Sequence, residues 1–586
     1  MASACFVSGS SFYYNKFHAN SRGFNICKPL YSPQSISMAI SMDQPLARRS
    51  ANFEPSLWSF EHIQSLSSKY NGNGYTSRAD TLIDAVKRMI REVRHPLSTL
   101  EFIDDLQRLG ISYHFVHETS YLLEMIYHNF FEAQDKWNPM ELNLKALGFR
   151  LLRQHGYHVP QEIFGTFKDE LKNFKPHFYE DMLCMLNLYE ASYLSFENES
   201  ILDDARDFTT RYLQENLENI LESLSSLVTH ALELPLHRRV PRVEAKWFIE
   251  VYEKRSGMNP TLIELAKLDF NMVQAIHLED LKCASRWWRN TSWDKELCFA
   301  RDRLVENFMW TIGFNYLPHF SGRETLTKVN ALITTIDDIY DVYGTLDELE
   351  QFTDVISRWD INLVGKLPHY MKICFIGFYN SINEITYTTL METGCLILPQ
   401  LKKAWADLCK AYLVEAQWYH SGHTPTLKEY LDNAWITISA PVILTHLKIL
   451  TSISSNEEML QGVEVAKNIV RYSSLILRLA DDLETSSGES ARGDTPKSVQ
   501  CYMHETGATE NEARRYIEKL IDNTWKKINK ERAGANSQIL REFNDGATNL
   551  ARMAQFMYGV GDGHGCPELT RPHVLSLLFN PIEEVL

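Results

Sequence analysis

The chain is poor in the features that mark redox, zinc, membrane or nucleic-acid proteins. Its ten cysteines (Cys5, Cys27, Cys184, Cys283, Cys298, Cys374, Cys395, Cys409, Cys501 and Cys566) are scattered, and none stands at CxxC spacing. That argues against zinc ribbons and dithiol motifs and fits a reducing compartment. There is no run of 18 apolar residues, so no membrane-spanning helix is expected. Basic charge is in deficit: 59 Lys and Arg stand against 75 Asp and Glu, for a net charge of −16. Without a basic stripe, a nucleic-acid partner is not expected. Acid is in turn missing from the first 42 residues, where Asp43 is the first carboxylate. That stretch is rich in Ser and carries Lys16, Arg22 and Lys28. This is the composition of an organelle transit peptide, so residues 1–47 are read as a leader.

What remains is helical and large. The 586 residues are 44% hydrophobic and 12% aromatic, enough for an extensive core and incompatible with disorder as the main state. Strand-like alternation is scarce. Leu82, Ile83, Val86, Met89, Ile90 and Val93 recur at helical spacing. Similar patterns run through 140–153, 201–228, 262–281, 326–343, 400–418 and 465–483, so the expectation is an all-α protein. Proline and glycine in SGMNPTL, 256–262, suggest a boundary, with Pro235 to Pro241 as a rival. The reading is a helical domain over 48–261 and a second over 262–586. Within TISAPVIL, Pro441 must interrupt a helix. The break either exposes carbonyls and hydroxyls to a cavity or is a packing kink.

The chemistry is concentrated in two acidic clusters. Asp337, Asp338 and Asp341 stand in IDDIYDVYG; Asp481, Thr485 and Glu489 stand in LRLADDLETSSGE. On an α-helix, residues 337 and 341 share a face, as do 481, 485 and 489. Two carboxylate faces turned toward one cleft repel, and burying them is costly. Hard cations shared with a polyanion resolve the conflict, and Mg²⁺ takes one or two carboxylates plus phosphate and water. Asp338 points about 100° from Asp337, toward an outer supporting position. Fixed donors for phosphate lie close by in sequence: Arg301 and Arg303 in RDR, Arg478 one turn before Asp481, and Lys497. A third DDxxD pattern, DDARD at 203–207, has polar flanks and no partner cluster. It is read as a solvated helix end, where acids are favoured.

These motifs together resemble the plant terpene synthases, specifically the angiosperm monoterpene synthases. The resemblance spans Arg48 to Leu586. It rests on RRSANFEPSLW (Arg48, Arg49, eight residues, Trp58), RDR at 301–303, DDIYD at 337–341, DDLETSSGE at 481–489 and the ending YGVGDGHG at 558–565. The second metal motif begins with Asp where other members carry Asn. No DxDD is present, which argues for ionisation rather than protonation of the substrate.

The resemblance implies an N-terminal α-barrel-like relic domain and a C-terminal class I terpenoid synthase bundle. It implies Mg²⁺ or Mn²⁺, three ions per site, held at Asp337, Asp338, Asp341, Asp481, Thr485 and Glu489. The implied substrate is geranyl diphosphate, gripped by Arg301, Arg303, Arg478 and Lys497 together with the metal-bearing Asp337, Asp341 and Asp481. Trp310 and Tyr558 are implied cation-stabilising aromatics. Arg48 and Arg49 are implied in isomerisation and closure, and His564 and Tyr558 as proton acceptors. Asn330, two turns before Asp337, is expected either to orient a quenching water or to shape the pocket. The expectation is a plastidial, diphosphate-releasing lyase, monomer or homodimer, without a membrane span. A cyclic product of limonene, terpineol, cineole or pinene type is favoured. Acyclic linalool or ocimene, bornyl diphosphate, a farnesyl diphosphate substrate, and a non-catalytic helical binding protein are the alternatives.

Overall fold

A computed structural model describes residues 48–137, 140–167, 182–219, 222–452, 466–492, 495–535 and 537–583; the side chains of 219, 223 and 487–492 are outside the description. The expected leader therefore lies outside the described residues. Arg48–Leu586 is one compact unit. Among the described residues the only β-type pairing is a bridge between Gly559 and Gly561, so the all-α expectation holds.

The helices form where apolar spacing and caps coincide. Asn73–Glu92 buries Ala79, Leu82, Val86 and Ile90 along one stripe. Asn259 caps the long Pro260–Thr291 helix by accepting from the Thr261 and Leu262 amides, with Pro260 at its first position. Thr345, Thr426 and Thr509 each open a helix with a reciprocal box to Glu348, Glu429 and Glu512. The pattern at 201–228 is two helices rather than one, Ser200–Asn216 and Glu222–Glu233.

Apolar packing does not divide at 256–262. One core joins Trp58 through Phe115 to Val240 through Ile582. A second core is confined to Leu100 through Ala231. The physical reason is the Asn73–Glu92 helix, which lays its stripe against Pro260–Thr291 and so belongs to the larger core.

The expected interruption at Pro441 falls at Ser439, whose φ is 64°. It separates Leu427–Thr437 from Ala440–Thr451. Taken together, Leu427–Thr451 is long and apolar enough to cross a bilayer by composition. The break leaves pieces of 11 and 12 residues, well short of the roughly 20 needed for a span, and half of the window is buried within the protein.

Candidate active site

The first acidic wall is the C-terminal end of the Arg323–Asp338 helix and the turn that follows. The helix does not stay α through the motif. Ile339–Tyr343 is a π-turn, closed by the Gly344 amide donating to the Ile339 carbonyl at 2.8 Å. A Cβ on Gly344 would stand 2.9 Å from that carbonyl and 2.6 Å from Leu349 Cδ2, so only glycine fits. The regular spacing assumed from sequence is thus widened within the motif. Asp338 is fully buried, Asp337 partly exposed, and Asp341 exposed.

Asp338 faces away from solvent and holds Arg301. Its Oδ2 accepts from the Arg301 amide at 2.7 Å, and its Oδ1 lies 2.8 Å from the guanidinium. The same guanidinium donates to Asp337 Oδ2 at 2.7 Å. Burial raises the Asp338 carboxyl to about 6, against the opposing pull of Arg301. Asp338 therefore supports Arg301, in keeping with the outer position inferred from its direction on the helix.

The second wall is the Lys467–Arg492 helix. Arg478 pairs with Asp481 and with Asp482, the latter through Nε at 2.8 Å. Thr485 Oγ1 donates to the Asp481 carbonyl at 3.0 Å, leaving its lone pairs for a cation. Glu489 lies on this helix, but its side chain is outside the described residues. Lys497 Nζ stands 3.6 Å from Glu415 Oε2. The walls meet electrostatically at Tyr558, whose hydroxyl is raised by burial and feels Asp562, Arg478, Arg301 and Asp337.

Among the described residues no three His, Cys, Asp or Glu side chains converge on one point. The donors are all oxygens, set on separate walls, with arginines standing between carboxylates. That set fits a hard ion drawing part of its shell from substrate and water, and does not fit a closed protein cage.

The segment that opens the described chain lies across the first wall. Arg48 makes a bidentate pair with Glu348, Nη1 to Oε2 and Nη2 to Oε1, both 2.8 Å. Nη1 also donates to the Tyr343 carbonyl at 3.0 Å. Its guanidinium lies 4.7 Å from the Tyr343 ring centroid and 4.9 Å from that of Tyr370. Glu348 further accepts from the Tyr370 hydroxyl at 2.9 Å. Burial works against this carboxylate's charge, yet the bond from Arg48 and its other donors hold it down at about 2. Arg49 donates to the Asp341 carbonyl at 3.0 Å and lies over the Tyr419 ring. Both arginines thus satisfy carbonyls at the C-terminal end of the metal-motif helix, where cations are favoured.

Arg303 is 1% exposed and donates to the Glu54 and Gly565 carbonyls at 2.8 and 3.0 Å. It joins the opening segment to the 558–565 loop, whereas the sequence reading placed it on diphosphate. That loop is knit by Asp562 Oδ1, which accepts from the His564 and Gly565 amides at 3.1 and 2.7 Å. Trp58 Nε1 donates to Glu306 Oε1 at 3.1 Å.

Trp310 and Tyr558 are brought together, their ring centroids 6.1 Å apart. Beside them runs a polar seam. Asn330 Nδ2 donates to the Asn307 carbonyl and to Thr311 Oγ1, both at 3.3 Å. Its Oδ1 is buried without a hydrogen-bond partner. His564 Nε2 lies 3.4 Å from Thr334 Oγ1. Burial, aided by Arg301 and Arg303, lowers the His564 ring to about 3, so it is neutral.

The DDARD pattern is not simply solvated. Asp203 occupies the first turn of Ser200–Asn216 and pairs with Lys526 at 2.6 Å and with Arg206 at 2.9 Å. Sequence reasoning also missed Glu348, Tyr370, Glu306 and Asp482. The capping box TLDE after IDDIYDVYG marked Glu348 as a helix-start residue; no local signal pointed to Arg48, which is 300 positions away.

Two family models match the chain: "Terpene synthase, N-terminal domain" over residues 57–232 and "Terpene synthase family, metal binding domain" over 289–527. The chain is 68% identical over 539 residues to R-linalool synthase QH1, chloroplastic, of Artemisia annua, covering 92% of this chain and 95% of that one. The structure of a limonene synthase with 2-fluorolinalyl diphosphate superposes with a TM-score of 0.88 at 44% identity, over 92% of this chain and 100% of that one. The isoprene synthase of grey poplar leaves, in complex with three Mg²⁺ ions and dimethylallyl-S-thiolodiphosphate, gives 0.82 at 44%, over 90% and 99%. The chain belongs to the terpene synthase family and carries its metal-binding domain.

Proposed function

We propose that this plastidial monoterpene synthase ionises geranyl diphosphate with Mg²⁺ and ends the reaction by water capture, releasing an acyclic tertiary alcohol of the linalool type. The grey poplar enzyme's three Mg²⁺ ions and the chloroplastic relatives support the metal and the compartment. Sequence alone favoured a ring. Likeness to an R-linalool synthase and one buried atom favour direct capture instead. That atom is Asn330 Oδ1, buried with no donor of its own on an amide whose Nδ2 reaches the Asn307 carbonyl and Thr311 Oγ1. A buried acceptor without a donor is costly, and a water answers it.

In this reading Asp337, Asp341, Asp481, Thr485 and Glu489 hold the ions, which supply Lewis-acid stabilisation of the departing diphosphate. Arg301, Arg478 and Lys497 add fixed positive charge where negative charge develops. Arg48, Arg49 and Arg303 hold the opening segment and the 558–565 loop over the site, excluding bulk water from an allylic cation. The faces of Trp310 and Tyr558 stabilise that cation by about 0.5–2 kcal/mol each. Asn330 orients one water against it. His564, neutral at 3.4 Å from Thr334, accepts the proton that the captured water sheds.

Incubation of the full chain with geranyl diphosphate and Mg²⁺ in H₂¹⁸O, with chiral gas chromatography of the products, tests this. The expected product is labelled linalool, and Asn330→Leu is expected to shift most of the flux to unlabelled hydrocarbons. A mainly hydrocarbon product from the wild type overturns the water-capture reading.

A further inference from the structure

We propose that Asp482 is a positioning residue for diphosphate recognition: it fixes Arg478 and the Lys497–Ser498 turn so that both cations face the same anion. The proposal rests on the diphosphate reading above.

Asp482 is fully buried. A lone carboxylate in that position is strongly disfavoured unless it is paired and hydrogen-bonded. Three separate elements satisfy it. Its Oδ1 accepts from Arg478 Nε at 2.8 Å, one turn earlier on its own helix. The same oxygen accepts from the Tyr430 hydroxyl at 3.0 Å, from the Leu427–Thr437 helix. Its Oδ2 accepts from the Ser498 amide at 3.0 Å, the first residue of the Ser498–Thr506 helix. Ser498 is adjacent to Lys497, so one carboxylate sets the position of both phosphate candidates on this wall.

The division of labour between neighbouring aspartates follows from the geometry. Arg478 is held at Nε by Asp482, while its Nη2 reaches Asp481. Asp482 is the fixed end of the pair. Asp481 is the end that exchanges partners, because it is also the metal-ligand candidate. When Asp481 takes another cation, the outer nitrogens of Arg478 stay aimed at the cleft, because Nε is still held. A planar guanidinium anchored at Nε keeps its other edge in one direction, which suits two phosphate oxygens. The first wall repeats the design independently. Asp338, also fully buried, holds Arg301 through its amide and guanidinium, while the same guanidinium reaches Asp337. In each DD pair the second residue is fully buried and the first is the more exposed, and both reach the same arginine.

The test uses the full chain with inorganic diphosphate as probe, titrated calorimetrically at fixed Mg²⁺. Asp482→Asn keeps the shape but removes the charge and one of the two acceptor oxygens. It is expected to weaken diphosphate binding at least tenfold and to raise KM for geranyl diphosphate by a similar factor, with far-UV circular dichroism unchanged. In an Arg478→Ala, Lys497→Ala background, the same Asp482→Asn change is expected to add less than twofold, since its effect runs through those two cations. A purely structural Asp482 would give equal losses in both backgrounds. Tyr430→Phe, which removes one of the three supports, is expected to weaken binding about threefold and serves if Asp482→Asn does not fold. Unchanged affinity in Asp482→Asn, or in Tyr430→Phe where that variant stands in, overturns the proposal while leaving the function intact. Failure of the wild type to bind diphosphate at all overturns the functional reading instead.

Discussion

Two segments of this chain carry the same five-residue pattern in opposite helical settings. DDARD at 203–207 begins a helix; DDIYD at 337–341 ends one. The helix dipole makes this difference decisive. Acids in a first turn are stabilised by unpaired amides, and acids in a last turn are opposed by unpaired carbonyls. Asp203 is accordingly content with a partly exposed place and ordinary ion pairs to Lys526 and Arg206. Asp337, Asp338 and Asp341 stand against their helix dipole, and cations gather there: Arg301 on two of the carboxylates, Arg48 and Arg49 on the terminal carbonyls. At this helix end the guanidinium groups supply the opposing charge.

The comparison breaks most plainly by removing one acid from each segment. Asp337→Ala is expected to lower kcat by at least about a thousandfold, since in the proposed mechanism it removes a metal ligand and it also removes one partner of Arg301. Asp203→Ala is expected to leave kcat within twofold. Steady-state rates on geranyl diphosphate measure both, and comparable losses in the two variants would show that helix polarity does not distinguish them.

The next effect concerns the arginines at the helix end. Glu348→Gln keeps the capping geometry but loses the charge that holds Arg48 between Tyr343 and Tyr370. The expected result is a roughly 10–100-fold fall in kcat/KM, about 1.4–2.7 kcal/mol, with little change in thermal midpoint. Linalyl diphosphate is expected to suffer alike, because the segment serves closure; a rate restored with that substrate would mean that isomerisation precedes water capture, against the direct-capture reading.

Much of this was legible in the chain and some was not, for local and non-local reasons respectively. Periodicity marked the helices because their buried stripes are continuous, as in Ala79, Leu82, Val86 and Ile90. The two acidic walls, RDR and the tandem arginines were legible because each is a short motif. The π-turn was not, because spacing rules assume 3.6 residues per turn, and only Gly344 hinted at the closure. The charge of Arg303 and its place in RDR point to phosphate; its partners in the fold are backbone carbonyls at Glu54 and Gly565, which leave no trace in side-chain identity. Asp482 was hidden in plain view: adjacent acids look equivalent until the fold buries one of them.

A buried titratable group without any counter-charge shows a third arrangement, against which both acidic segments can be set. His446 is 1% exposed, with Nδ1 2.9 Å from the Val442 carbonyl, and burial lowers it from 6.5 to about 4. Its folded value is depressed, so the neutral ring is favoured in the fold. Its stability contribution is present above pH 6.5 and is lost as pH falls toward 4. The slope is at most about 1.4 kcal/mol per pH unit. Urea unfolding at pH 7, 6 and 5 is expected to show a shallower acid loss in His446→Gln than in the wild type. Parallel curves would mean that the ring titrates alike in the folded and unfolded chain.

The smallest effect is the most discriminating for DDARD. Asp203 reaches across to Lys526, on the Glu510–Ala533 helix that packs against the second acidic wall. The pair is 2.6 Å long, but Asp203 remains 39% exposed. Water and salt screen such a pair, so a double-mutant cycle between Asp203→Ala and Lys526→Ala is expected to give a coupling below about 1 kcal/mol. High salt should erase most of it. Diphosphate affinity should be unchanged in either variant, since neither residue touches the cleft. A coupling above about 2 kcal/mol, or a shift in diphosphate binding, would mean that this segment communicates with the wall it packs behind. Its place at a helix start would then no longer suffice to call it inert.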